Sequence, residues 1–416
     1  MRSLSSFSVI PRLAALTALL VTGGQAWAAS LAVGCPWIPD AIDNSTQNSG
    51  YPDKASTYSI ATLPTNPAAG TVLRIHGLYP QVRYFSFQIA DRSRATPPYD
   101  QISDATLISD EGGTPPADPA QLPSTAGYTA HYTITIRFEN VPAVREPNTL
   151  YAGVPAAGDP LKQLLMRNYL PNPGTDSFGN TPLPDLVLVA PNGSQTDLNQ
   201  TTDKLPCHLY SLLWTHVPSV TNWATFAPKR PRFYASSGAG LVLYPNGDST
   251  YIGAPINHSV APLIIMRGKA PTMPAVPPEI TANPEVRYWS LCENELRSTA
   301  SVGCIADRDV VVGSDGYFTL VVSSPAQRPS TATAAKGYNW LDWGAAQDGL
   351  LVMRQILPAP GFAGNYLNAV VHPLESLSRT LGIWAPDISY CDSATFAANA
   401  DAGGAAVIAA CQAATR

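Results

Sequence analysis

Short apolar runs rich in Val, Ile, Tyr, Phe and Thr recur along the chain, each bounded by Gly, Pro, Asn or Asp. Tyr132 to Phe138 and Tyr317 to Val322 alternate apolar with polar or Thr over part of their length, the period of a strand with one buried face. Leu164–Tyr169 and Leu350–Ile356 are mostly apolar and predict deeper burial. A helix could also hold those two runs, but Pro171 and Pro358 close them and favour a strand running into a turn. Past the last such run the period changes. Tyr366, Val370, Val371, Leu374 and Leu377 have helical spacing within Gly364–Leu381. Asp392–Arg416 is Ala-rich and predicted helical, with a break at Gly403-Gly404 that would let the helices fold back.

The runs occur twice in the same order. Tyr51-Pro52 and Ser56-Thr57-Tyr58 return as Tyr244-Pro245 and Ser249-Thr250-Tyr251 at identical spacing. Val72–Gly77 aligns with Leu263–Gly268, Val82–Ser86 with Val286–Ser290, and Ile102–Asp104 with Ile305–Asp307. Tyr132–Ile136 matches Tyr317–Val321. Asn148, Leu150 and Gly153 match Asn339, Leu341 and Gly344. Leu164–Gly174 matches Leu351–Gly361, sharing Met-Arg, Leu-Pro and Pro-Gly. Blocks kept in one order mark an internal duplication.

These patterns predict an all-β chain: two tandem β-sandwich or jelly-roll units with a helical C-terminal appendage. The expected boundaries are a signal peptide at 1–28, an N-terminal segment at 29–50, unit 1 at 51–174, a connecting segment at 175–243, unit 2 at 244–361 and the helical tail at 362–416. The connecting segment reads as irregular. It carries an apolar patch, Leu183–Ala190, and an aromatic cluster, Tyr210, Trp214 and Trp223.

Composition agrees with strands and turns. The 416 residues include 40 prolines, about twice the usual share; proline populates loops and blunts edge strands without breaking a ladder. Only 13% of residues are charged, and the formal charge is −5. That balance excludes a coiled coil and gives no basic surface for nucleic acid. Arg2, Arg12, the apolar Leu13–Val21 and Ala26-Trp27-Ala28 read as a secretory signal and its cleavage site. Cleavage would leave 23 basic against 30 acidic residues, and no other apolar run is long enough to cross a membrane. A periplasmic or extracellular location follows. Six cysteines in an exported chain point to three disulfides. Short separations favour Cys292–Cys304 and Cys391–Cys411, leaving Cys35–Cys207. Lipidation of Cys35 is the competing use of that residue, although Ala32 stands where a lipid signal has Leu.

Copy two runs from an aromatic-Ser strand at Val286–Leu291 through Asp307–Val312 and Tyr317–Ser323 to Asn339-Trp340-Leu341 and Leu351–Pro360. It resembles an uncharacterised group of exported bacterial β-sandwich proteins, known only as a domain of unknown function. Their C-terminal halves end in a similar Asn-Trp-Leu-Pro … Leu-x-x-Arg-x-x-x-Pro pattern; here Asp342 replaces the Pro. The resemblance covers about 75 residues of copy two. It implies a fold and no activity, so no functional residue carries over.

Candidate chemistry is sparse. Arg83, Arg287, Arg167 and Arg354 sit in apolar runs of both copies and need partners if buried. Asp104 and Asp307 are the natural ones, as ion pairs inside each sandwich; the functional reading is an arginine-lined groove for a carboxylate or phosphate. Trp289, Trp340 and Trp343 could form a stacking platform or simply pack the core. His76 beside Arg74 could act as a general base or be a structural histidine. Nucleophile-elbow, zincin and phosphate-loop motifs are missing, no Cys or His spacing suits a metal, and no cofactor is implied. Two readings stand: binding of a small-molecule or oligomeric ligand, in a groove between the units or under the connecting segment, and an extracytoplasmic hydrolase or lyase using His76 with a carboxylate.

Overall fold

Alternation places most of the strands. The computed structural model describes residues 34–39, 48–91, 100–111, 130–156, 161–200, 230–235, 246–274, 283–370 and 376–415. In the first half lie β1 (Cys35–Ile38), β2 (Ser56–Thr62), β3 (Val72–Leu78), β4 (Val82–Asp91), β5 (Asp100–Ser103), β6 (His131–Arg137), β7 (Thr149–Tyr151), β8 (Lys162–Pro171), β9 (Asp185–Val189) and β10 (Gln195–Asp197). In the second lie β11 (Tyr234–Ala235), β12 (Ser249–Asn257), β13 (Leu263–Lys269), β14 (Val286–Glu295), β15 (Ser301–Ala306), β16 (Tyr317–Ser323), β17 (Asn339–Asp342), β18 (Asp348–Pro358) and β19 (Asp387–Cys391). Strand β6 shows the rule: Tyr132, Ile134 and Ile136 are buried while His131, Thr133, Thr135 and Arg137 face outward.

The sheets repeat. Unit 1 has the orders β1-β2-β8-β4-β5 and β10-β9-β3-β6-β7; unit 2 has β11-β12-β18-β14-β15 and β19-β13-β16-β17. Each strand from β1 to β9 maps onto β11 to β19, including the parallel pairs β6–β7 and β16–β17. Registers repeat too. Tyr58 opposes Arg167 as Tyr251 opposes Arg354, and Thr62 opposes Gln163 as Pro255 opposes Leu350. The chain is all-β with a small helical part at its C-terminus.

Among the strands outside the matched sequence blocks, two correspond to each other in the long stretches after each unit. β9 falls in the stretch read as a connector, and β19 lies inside the stretch read as a helical tail. Each pairs with the same strand of its unit, β9 with β3 and β19 with β13. Their side chains diverged, so backbone pairing is what they share.

Each sandwich encloses its own core, with Leu73, Ile75, Ile134, Leu164 and Met166 in unit 1 and Ile264, Met266, Leu320, Leu351 and Met353 in unit 2. A third cluster lies outside unit 2. There α3 (Ser393–Asn399) and α4 (Gly404–Ala414) lay Phe396, Val407 and Ile408 over Leu263, Ile265 and Val321. Two shorter helices precede them, α1 (Leu367–Val370) and α2 (Leu377–Leu381). Asp392 caps α3 by accepting from the Thr395 amide at 2.8 Å. Gly403, at φ 89°, turns the chain back, and the Cys391–Cys411 disulfide pins α4 to the end of β19. A side chain at Gly404 would collide with Thr319, so this glycine sets how closely α4 approaches the sheet.

Cys292–Cys304 is the second disulfide, joining β14 to β15. Cys35 is buried and disulfide-bonded, which leaves no thiol for a lipid; its expected partner, Cys207, lies outside the described residues. The expected signal peptide and the cluster Tyr210, Trp214 and Trp223 also lie outside them. Disulfides of this kind place the protein outside the reducing cytoplasm. Among the described residues no helix is long and apolar enough to cross a membrane.

Candidate functional site

The outer faces of the two longest-stranded sheets meet. Tyr84 and Tyr169 of β4 and β8 pack against Tyr288 of β14 and Ile356 of β18 in one buried cluster. The alternation that sends Leu164 and Met166 into the unit 1 core sends Arg167 and Tyr169 to this seam. That is why β8 and β18 read as almost continuously buried runs.

The seam has approximate twofold symmetry, and it corrects the expected ion pairs. Arg83 and Arg287 pair across the units and not within them. Arg83 Nη1 lies 3.2 Å from Asp307 Oδ2, and Arg287 Nη1 lies 2.7 Å from Asp104 Oδ2. Each arginine stands near the start of β4 or β14, so its long side chain reaches past its own sheet to the opposite unit's carboxylate. Burial pushes both Asp104 and Asp307 up to about 6, against the opposing pull of the arginines. Burial likewise lowers Arg83, with Asp307 resisting. Desolvation offsets most of the attraction in pairs this deep, so they add little net stability over an apolar contact.

Away from these two pairs the halves differ. On one half Asp53 is fully buried. Its Oδ2 accepts from Tyr288 Oη at 2.8 Å and Ser290 Oγ at 2.6 Å, and pairs with Arg354 Nη1 at 2.9 Å. Burial opposes the Arg354 charge, but Asp53 and the surrounding tyrosines outweigh it and hold the guanidinium protonated. The Cys292–Cys304 disulfide borders this half, with the Lys54 amide 3.3 Å from Cys304 Sγ. Asp53, Cys292 and Cys304 are the one convergent set of metal-ligand types among the described residues, but the cysteines are bonded to each other and Asp53 holds Arg354.

On the other half Asn246 stands where the repeat puts the counterpart of Asp53. Tyr84 Oη donates to Asp248 Oδ2 at 2.9 Å and lies 3.2 Å from Asn246 Oδ1, so the acceptor that Asp53 supplies to Tyr288 comes here chiefly from Asp248. Gln101 and Gln88 oppose each other at the register of Cys304 and Cys292. Gln101 Oε1 accepts from the Gly247 amide at 2.6 Å, as Cys304 meets Lys54. Arg167 donates to Gln88 Oε1. Six buried atoms here have no hydrogen-bond partner: Thr62 Oγ1, Ser86 Oγ, Gln88 Nε2, both amide atoms of Gln163, and Asn246 Nδ2. Thr62 and Gln163 are register partners on β2 and β8, and Gln88 lies diagonally from Gln163 on β4. The polar row therefore runs along one sheet face.

The other predicted residues fall elsewhere. Trp289 and Trp343 are buried in the unit 2 core. Trp340 packs toward the helical cluster, with Arg328 4.4 Å from its ring centre and its Nε1 donating to Ser323. The three do not form one platform. Arg74 and His76 project from the outer face of β3. His76 Nδ1 is 3.2 Å from Thr133 Oγ1, which donates to Asp110 Oδ2 at 2.8 Å; the direct His76–Asp110 distance is 3.6 Å. Beside it His131 Nδ1 meets Glu111 Oε1 at 2.7 Å, and the two imidazoles lie parallel with centres 5.5 Å apart. The bonds to His131 hold Glu111 below the usual carboxylate range. His131 was missed because only the β3–β6 register brings it near His76, and Asp110 and Glu111 because the turn after β5 is docked to His131 by hydrogen bonds to its backbone that the sequence does not show. His76 therefore has a carboxylate within reach through Thr133, but its side chain is 50% exposed on an open sheet face.

A cavity of about 670 Å³ lies beside residues 231–235, walled by Phe233, Leu377 and Ile388 with Arg232 and Gln412. A second, of about 500 Å³, has Pro284, Pro360, Phe362 and Trp384 in its walls.

No family profile and no curated protein matches the chain. Similar solved structures exist. An uncharacterised protein from Burkholderia cenocepacia has a TM-score of 0.51 at 14% identity, covering 85% of this chain and 88% of that one. A protein from Vibrio parahaemolyticus has a TM-score of 0.34 at 10% identity, covering 75% and 86%. The first of these likenesses is one of fold alone, to a bacterial protein that is itself uncharacterised.

Proposed function

We propose that this protein, exported to the periplasm or beyond the cell, binds a small polar ligand at the seam between its units, on the half formed by Thr62, Ser86, Gln88, Gln163, Arg167 and Asn246. One observation carries the reading: the six buried polar atoms without partners. A buried polar group left unpaired costs about 1–3 kcal/mol, a cost that a polar ligand bound along this row would relieve. The repeat supplies the control. Unit 2 has Pro255, Leu350 and Cys292 at the positions of Thr62, Gln163 and Gln88, so the fold itself does not need polar groups there. Arg287 and Arg83 position the two units, and Arg167 belongs to the site. The hydrolase reading rests on His76 and Asp110 and has weaker support, because both lie on an open face outside any cleft described above.

The test copies unit 2 into unit 1. Gln163→Leu should raise the melting temperature of the ligand-free protein by a few degrees and abolish the shift given by any ligand found in a thermal-shift panel of sugars, polyols and organic acids. A Gln163→Leu protein that is less stable and still shifts with the same ligand would place the site elsewhere.

A further inference from the structure

The repeat marks a second place where the units part, away from the seam. We infer that the cavity of about 670 Å³ in unit 2 is a binding site for a neutral, planar aromatic molecule with a ring N–H, held as unit 1 holds an indole of its own. In unit 1 that indole is Trp37. It is buried in the core beside Phe87, with ring centres 6.3 Å apart, and its Nε1 donates to Pro184 O at 2.8 Å. The bond joins β1 of one sheet to the residue before β9 of the other. Leu198, on the turn after β10, is fully buried in the same core.

Register gives both partners a counterpart in unit 2. Ile60 and Gly253 match, because Tyr58 and Tyr251 oppose Arg167 and Arg354. Ile38 opposes Ile60 as Tyr234 opposes Gly253, so Phe233 stands where Trp37 does. Asp185 opposes His76 as Asp387 opposes Arg267, so Pro386 stands where Pro184 does. Packing agrees: a side chain at Gly77 would meet Tyr132 and Pro184, and one at Gly268 would meet Phe318 and Pro386. In unit 1 the two partners touch. In unit 2 Phe233 and Pro386 are both walls of the cavity. Phe233 is the smaller ring and has no N–H to give a carbonyl. Among the described residues the β19 sheet also has no strand matching β10, hence no turn after it to bring in a leucine.

The other walls fit such a ring. Ala369 of α1, Leu377 of α2 and Ile388 of β19 are apolar. Arg232 and Asp387 are exposed and opposite in sign, so they offer no net charge to an ion. The volume lies in the range of small-molecule sites, roughly 300–1,000 Å³. An apolar cavity of about 150 Å³ already takes a benzene, so a fused ring with a substituent has room. The carbonyl of Pro386, by the same register, is the acceptor for the ring N–H.

The experiment titrates indole and 1-methylindole, in which a methyl replaces the N–H hydrogen, into the full chain by calorimetry and thermal shift. Indole should bind and raise the melting temperature. 1-Methylindole should bind about tenfold more weakly, the cost of one lost hydrogen bond. Ala369→Phe and Ala385→Phe each add a ring to a wall and should abolish indole binding; two variants are made so that one with the parent's ligand-free melting curve carries the test. Gln163→Leu, at the seam, should bind indole as the parent does. Equal binding of the two probes would overturn the N–H contact and with it the likeness to Trp37. Indole binding unchanged in the wall variants, or lost in Gln163→Leu, would place it elsewhere and overturn the site, as would no binding of indole. None of these outcomes touches the polar row at the seam, which stands or falls with its own ligand panel.

Discussion

Unit 1 and unit 2 are built on one ladder and finished in opposite ways. On the outer sheet of unit 1, Arg74 and His76 meet solvent; at the same register unit 2 has Ile265, covered by α3 and α4, and Arg267, paired with Asp315. In the core, Ile89 of unit 1 becomes the buried acid Glu293 in unit 2. At the seam, the Asp53 carboxylate has Arg354, Tyr288 and Ser290 as partners and is edged by a disulfide, whereas the half around Asn246 keeps six unpaired polar atoms. Strand order and register are alike in the two units while side chains at matched positions differ in chemistry. Positions alike in both copies therefore report packing and docking, and positions that differ report where a task could have been acquired.

The largest effect should come from making the two halves of the seam alike. Asp53→Asn turns the filled half into a copy of the Asn246 half. It strips the carboxylate from a fully buried site and leaves Arg354 without its anion. Breaking a buried pair by removing one partner costs about 3–5 kcal/mol. Urea denaturation should show a loss of that order with the slope unchanged. A loss under about 1 kcal/mol would mean that Asp53 is screened as surface groups are, and the contrast between the halves would fall.

How much of this could be read from residues alone follows the same division. The strands, the tandem repeat and the Cys391–Cys411 fold-back were legible, because period, proline-closed turns and spacing are local signals. Even the αL backbone at Leu170 and Leu357, one before each proline, repeats. β9 and β19 were not legible, because neither carries a motif and each is a strand only by pairing with a neighbour distant in sequence. For Arg83 and Arg287 the partners were named correctly as Asp307 and Asp104 but assigned to the wrong unit, since sequence does not say which sheet faces meet; Arg354 pairs instead with Asp53, and Arg167 donates to Gln88. Gln88 and Gln163 carried no signal; a glutamine in a strand is unremarkable until its amide proves buried and unpaired.

An effect of opposite sign, small at low pH, should come from restoring the unit 1 residue to the unit 2 core. Glu293 lies inside, with Gly303 opposite it on β15 and Gly349 of β18 leaving room for its carboxyl. Neither oxygen has a partner, and burial holds the group well above the ordinary carboxyl range, hence neutral. A folded-state value above the unfolded one means the acid favours folding at low pH, and that advantage drains away as pH rises. Glu293→Ile should thus be more stable than the parent. The gap should grow by about 1.4 kcal/mol per pH unit above the unfolded-state value near 4.3, until the folded group ionises. Melting curves of both proteins from pH 4 to pH 8 check this; a gap that stays flat would show that Glu293 is ionised and paired.

The smallest effect belongs to the open face. His76→Ala removes a half-exposed ring whose contacts are Thr133, Asp110 and a parallel His131, all near solvent. Nothing buried loses a partner, because Thr133 keeps its bond to Asp110. Surface changes of this kind stay within about 0.5 kcal/mol, so the denaturation midpoint should barely move. Arg267→Ala, at the matched position of unit 2, should cost more, since Arg267 also stacks 4.6 Å from the Tyr317 ring centre. The pair of variants separates the two readings of the molecule. If a substrate panel yields a hydrolytic activity that His76→Ala abolishes at unchanged stability, then His76, Thr133 and Asp110 are a working site, and the polar row at the seam serves packing instead of a ligand. If no activity is found and His76→Ala keeps the parent's thermal shift with a ligand from the panel, the divergence that matters lies at the seam, and the histidine face of unit 1 is simply the face its counterpart hides.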